Sequence, residues 1–191
     1  MENREPPVRS GSEKMSSQQP PALIVMVGPP GTGKSHLVNL LAQRIPLKIV
    51  ASDEIRHQIS LHPSYSPEEN RRVFQTAHRR IQRLLRHGEN VAFDATNIRE
   101  FGRRSLYRIS ERTEARLLIV RTVAPEDVVE ARLRRRMEGL NPEDRSEAGW
   151  EVYLRMKAEF EEISRPHMLV DTSEPLEPAL EEIVSFVRGR P

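Results

Sequence analysis

Gly28-Pro29-Pro30-Gly31-Thr32-Gly33-Lys34-Ser35 is the stretch that decides the fold. The apolar run Ala22-Leu23-Ile24-Val25-Met26-Val27 precedes it, and Leu37, Val38, Leu40 and Leu41 follow at helical spacing. The spacing is G-x-x-x-x-G-K-S, the phosphate-binding P-loop pattern. Each part has a physical task. The apolar run reads as a buried parallel strand. The glycines let the backbone curl into a nest whose N–H groups point at phosphate oxygens. A helix opening near Gly33 adds its positive end. Gly28, Pro29, Pro30, Gly31, Thr32, Gly33, Lys34 and Ser35 are thus the expected nucleotide contacts. Lys34 is placed to reach the β- and γ-phosphates, and the Ser35 hydroxyl to bind Mg²⁺. ATP, or another NTP, and Mg²⁺ are the cofactors this implies.

A chain of 191 residues is one ordinary domain in length, enough for a real core. It contains no cysteine, which excludes disulfides and cysteine-based metal sites. No apolar run approaches membrane-spanning length, so a soluble cytoplasmic protein is the expectation. The net charge of +2 conceals an uneven distribution. Residues 54–112 carry twelve arginines against seven acidic residues, whereas residues 138–191 carry six basic against thirteen acidic. Only four of the thirty basic residues are lysines. Arginine suits bidentate phosphate binding better than lysine. A basic middle beside a P-loop points to an anionic second substrate.

Residues 1–20, rich in Ser, Gln, Pro and charge, read as a disordered leader, and 21–191 as the folded domain. Strands are expected at about 22–27, 47–51, 90–94, 116–121 and 167–170. Helices are expected from the P-loop to Arg44, from Asp53 to about Ser60, from Pro67 to His87, over 100–112, from Pro125 through Arg136, over 146–163 and over 176–188. Trp150 and Tyr153 read as core. Strands alternating with helices give an α/β fold, a mostly parallel sheet covered on both faces.

Three further constellations carry chemistry. Asp53 and Arg56 follow the second strand, where ligands bind in open α/β sheets. Phosphoryl transfer to an alcohol needs a carboxylate to take the hydroxyl proton. Asp53 suits that task and Arg56, on the same helical face, suits an anion on the acceptor. The competing reading is a helix-capping aspartate beside a surface arginine. Asp94 closes the third strand and reads as a Walker-B-type carboxylate near Mg²⁺, as a capping or turn residue, or as a group facing the acceptor. Thr96 and Asn97 are candidate substrate contacts beside it. Arg132 and Arg136, at i and i+4, are candidates for positive charge on the transferring phosphate. Arg72, Arg79 and Arg83 share one face of the long helix and form a candidate track for acceptor phosphates.

Taken together, these segments resemble the small P-loop kinases of the polynucleotide 5′-kinase and zeta-toxin group. The resemblance rests on Gly28 to Ser35, Ser52-Asp53-x-x-Arg56, Asp94-Ala95-Thr96-Asn97, Arg132-x-x-x-Arg136 and Asp144-x-Ser146-x-Ala148, in that order along the chain. It implies a P-loop NTPase three-layer sandwich, a five-stranded parallel sheet of order 2-3-1-4-5 and an α-helical lid at about 130–147. By similarity Asp53 would be the general base, Arg56 would meet a phosphate near the acceptor's 5′ end, and Arg132 or Arg136 would be the lid arginine. The implied partner is a nucleic acid with a 5′-OH end. A small-molecule or nucleotide-sugar kinase of the same fold and a nucleotide-binding switch that transfers nothing are the alternatives.

Overall fold

The computed structural model describes residues 19–60, 62–138 and 149–189. Five strands alternate with helices: β1 (Ala22–Val27), α1 (Lys34–Ala42), β2 (Lys48–Ala51), α2 (Ser52–Ile59), α3 (Pro67–Arg86), β3 (Val91–Asp94), α4 (Glu100–Thr113), β4 (Arg116–Val123), α5 (Glu126–Met137), α6 (Trp150–Ala158), β5 (Met168–Asp171) and α7 (Glu177–Arg188). The sheet is parallel throughout, in the order β2-β3-β1-β4-β5. This is the strand order the resemblance implied.

β1 lies at the centre because all six of its residues are apolar and both of its faces are covered. Leu23, Val25 and Val27 point to the side packed by Val73, Ala77, Ile81 and Leu85 of α3 and Leu106 of α4. Ala22, Ile24 and Met26 point to the side packed by Leu37, Val38 and Leu41 of α1 and Leu180, Ile183 and Val187 of α7. The two-residue period of the strand thus builds two cores and three layers. A smaller apolar cluster of Val129, Leu133 and Tyr153 joins α5 to α6. Trp150 stacks on Tyr153 at 4.9 Å, so this pair is packing, as its periodicity suggests.

The helix expected over 146–163 is shorter: α6 ends at Ala158. The physical reason is a buried cation on α4. Arg103, 0% exposed, donates to the carbonyls of Asn97, Glu161 and Glu162 and pairs with Glu100. The Glu161 N–H also donates to the Ile98 carbonyl at 3.0 Å. Carbonyls inside a helix are engaged by the next turn. The chain therefore unwinds after Ala158 to present them to Arg103. Phe160 and Ile163 then pack against the α3/α4 core. The Asp144-x-Ser146-x-Ala148 segment, most of the leader and part of the expected lid lie outside the described residues.

Candidate functional site

The P-loop bridges β1 and α1 in a conformation only glycine adopts without strain. Gly31 has φ 79° and Gly33 has φ 82°. A Cβ on Gly31 would lie 2.8 Å from Val129 of α5, so that helix is packed directly on the loop. The neighbouring strands pin the loop from below. Thr32 Oγ1 is 2.8 Å from both the Pro29 carbonyl and the Thr122 hydroxyl. The Gly28 N–H donates to the Thr96 carbonyl at 2.9 Å, and the Asn97 amide donates to the Met26 carbonyl at 2.8 Å. Asn97 is buried and left-handed, with φ 45°. Thr96 and Asn97, read from sequence as candidate substrate contacts, hold the P-loop to β3: the backbone of Thr96 and the side chain of Asn97 make these bonds.

The carboxyl ends of β1, β2 and β3 open into a cleft of about 2120 Å³. Lys34, Ser35, Asp53 and Asp94 all line it. Lys34 Nζ donates to the Pro29 carbonyl at 2.9 Å, which folds its side chain over the loop. Strand register brings the two carboxylates to the same end of neighbouring strands, since Ala51 is paired with Asp94 and Asp53 follows two residues later. The cap of α2 is Ala51 and that of α4 is Arg99. The capping readings of Asp53 and Asp94 therefore fall away, and both half-buried side chains border the cleft. Magnesium binds through oxygen, with one or two carboxylates beside substrate phosphates. The Ser35 hydroxyl and the Asp94 carboxylate supply that donor set within one cleft.

α5 lays a cation across the P-loop. Arg132 donates to the Gly31 carbonyl at 3.3 Å and to the Thr172 hydroxyl and carbonyl at 2.8 Å each. Burial pulls the Arg132 guanidinium below its ordinary pKa, and Asp171 pulls the other way. Arg135 and Arg136 line the same cleft, whereas Arg134 pairs outward with Glu130. If Arg132 acts on the transferring phosphate, Arg132→Ala lowers kcat more than it raises the KM for ATP. Steady-state kinetics beside Arg188→Ala on the far surface check this, and equal changes in kcat and KM would contradict it.

Arg56 lines the cleft but its guanidinium is engaged. It is 5% exposed, contacts Glu69 at 2.5 Å and Asn70 at 2.7 Å, and lies under the Tyr65 ring at 4.4 Å. Glu69, 3% exposed, also accepts from the Ser64 N–H and hydroxyl at 2.6 Å each. The residue read from sequence as an acceptor contact is thus a staple between α2 and α3. The Ser64 hydroxyl first, then Arg56, hold the Glu69 carboxyl down at about 2. A depressed folded-state pKa adds stability above the unfolded value, and that stability is lost as pH falls toward the folded one. Acid titration of wild type against Glu69→Gln should therefore show a stability difference that narrows between about pH 4.5 and pH 2. A constant difference across that window would contradict the staple.

Arg72, Arg79 and Arg83 do not border the cleft, and Arg79 bonds weakly to Thr76 beside it. The face of α3 that does border the cleft carries Arg71, Phe74, Gln75 and His78. One residue is about 100° of helix, so the arginine stripe is turned a quarter-circle or so from the cleft. Sequence reasoning missed this face, although its i, i+3, i+4, i+7 spacing is visible. It also missed Glu69 and Thr172, which are single polar residues with no motif around them.

The AAA-domain family profile matches residues 23–163, and the chain belongs to that family. No curated protein gives a significant match. Among solved structures, a provisionally assigned kinase from Chloroflexus aurantiacus J-10-fl aligns over 91% of this chain and 100% of its own, at TM-score 0.69 and 21% identity. The Mycobacterium tuberculosis APS kinase CysC, solved with AMPPNP and APS, aligns over 88% and 98%, at TM-score 0.63 and 15% identity. A chain of the Pnkp1/Rnl/Hen1 complex aligns over 61% of this chain and 40% of its own, at TM-score 0.53 and 22% identity. These likenesses establish a P-loop kinase-like fold.

Proposed function

We propose that the protein is an ATP-dependent phosphotransferase whose acceptor is the 5′-hydroxyl of DNA or RNA. The observation that carries this is the convergence of the P-loop and the Asp53–Asp94 carboxylates on one cleft. In this reading the acceptor oxygen attacks the γ-phosphorus, its proton passes to Asp53, the bond to the bridging oxygen breaks and ADP leaves. Lys34 and Arg132 offset the charge on the transferring oxygens. Ser35 and Asp94 would hold Mg²⁺, which supplies further neutralisation of phosphate charge.

A nucleic acid acceptor is supported by the chemistry of the cleft walls. Arg71, Arg99, Arg135 and Arg155 line it together with Phe74 and Phe101, and Phe101 is 83% exposed. Cations for phosphates and aromatic faces for bases are the elements of single-strand recognition. The engagement of Arg56 by Glu69 and Asn70 favours a second reading, a small uncharged alcohol as acceptor.

The two readings differ in salt dependence. Releasing counterions from a single strand lowers affinity by about 0.7 powers of salt per phosphate contacted. KM for 5′-OH oligonucleotides of increasing length, measured across a salt series, should rise steeply with salt and fall with length until the cleft is filled. A KM independent of both length and salt would overturn the nucleic acid reading and favour the small alcohol. No helix among the described residues is long and apolar enough to cross a membrane.

A further inference from the structure

We infer that Arg71 holds the phosphate next to the acceptor's reacting nucleoside, and that Phe74, Gln75 and His78 below it receive that nucleoside. The inference rests on the phosphotransferase reading above and moves anion recognition from α2 to α3.

Not every cation that lines the cleft is free to meet an acceptor phosphate. Arg56 is buried, its terminal nitrogens are bonded to Glu69 and Asn70, and Tyr65 covers its face. Arg99 pairs with Glu159 and Glu161 on the opposite rim. Arg132 is engaged by Thr172 and the P-loop. Arg71 differs from all three, as do Arg135 of α5 and Arg155 of α6, but of these Arg71 alone stands on the turn of α3 that Arg56 grips. It is exposed, it lines the cleft, and among the described residues its side chain makes no hydrogen bond or ion pair. It stands one residue beyond Asn70, the residue that Arg56 grips. The Arg56–Glu69 staple therefore fixes the turn of α3 that presents Arg71, and makes Arg56 a positioning residue.

The same face continues inward. Phe74, Gln75 and His78 follow Arg71 by three, four and seven residues, which stacks them along one side of the helix. Phe74 meets Phe93 edge-on at 6.1 Å, and His78 meets Phe93 at 6.2 Å. Phe93 is buried in the core between α3 and the sheet and backs Phe74 and His78, which themselves line the cleft. Burial lowers the pKa of the His78 ring and so favours its neutral form. An aromatic wall, an amide and a neutral imidazole suit a nucleobase, which offers a π-face and hydrogen-bonding edges. A guanidinium at the outer end suits the phosphate that follows it along the strand.

The experiment compares a 5′-OH nucleoside with the same nucleoside carrying a 3′-phosphate, each with Mg²⁺ and γ-labelled ATP. Arg71→Ala should raise KM for the phosphorylated acceptor about tenfold or more, as loss of a charged contact does. It should leave KM for the plain nucleoside within about twofold, with Tm unchanged. Arg71→Lys should recover part of the loss. Phe74→Leu should raise KM for both acceptors alike. Arg71→Ala with no effect on the ratio of the two KM values would overturn the assignment while leaving the phosphotransferase reading intact. Label on no acceptor at all would remove the phosphotransferase reading, and the assignment with it.

Discussion

Lys34→Ala is expected to abolish the proposed phosphoryl transfer, with a loss of at least about a thousandfold in kcat. Removing one preorganised donor from a transition-state charge costs about two to three orders of magnitude, and Lys34 brings a full positive charge. The geometry supports a functional reading of the side chain. Lys34 lines the cleft, and Nζ is held on the Pro29 carbonyl of the loop itself. The shape of the loop is set largely by other residues. Gly31 and Gly33 set the loop's shape, and Thr32, Thr96 and Asn97 tie it to the sheet. Tm should therefore stay close to wild type, and the addition of ATP should raise it far less than in wild type. Unchanged turnover in a folded Lys34→Ala protein would place the nucleotide elsewhere.

Asp53→Asn separates chemistry from nucleotide binding. The amide keeps nearly the same shape and cannot take the acceptor's proton. General-base catalysis contributes about two to four orders of magnitude, and transfer should fall by that amount. ATP affinity, measured by calorimetry, should stay within about threefold, because the P-loop cradle is untouched. A collapse of ATP affinity with Asp53→Asn would make Asp53 a group on the nucleotide side and leave the base unassigned.

Local pattern made most of this architecture legible. β1, the P-loop and α1 form one continuous statement of apolar run, glycine-rich turn and helical period, so their boundaries follow from the residues alone. The strand order came from the resemblance, because pairing between distant strands leaves no local signature. Readings were displaced wherever one side chain had a partner far along the chain. Arg56 looks available in sequence, and its partner Glu69 is thirteen residues away across a loop. The end of α6 is set by Arg103, about sixty residues earlier, whose guanidinium needs carbonyls a continued helix would withhold. α3 shows three faces in sequence. Periodicity identifies the apolar one, and which polar face borders the cleft depends on the tilt of the helix over β3. The arginine stripe is the denser pattern in sequence, while the cleft takes the sparser face that begins at Arg71.

The destination of the γ-phosphate tests the central claim most directly. The protein is incubated with Mg²⁺ and γ-labelled ATP and offered 5′-OH DNA, 5′-OH RNA, and a panel of sugars and nucleosides. The account predicts label covalently attached to the 5′ end of a nucleic acid, in wild type and not in Asp53→Asn. Label released only as inorganic phosphate, whatever acceptor is present, would contradict it and identify a nucleotide-hydrolysing switch.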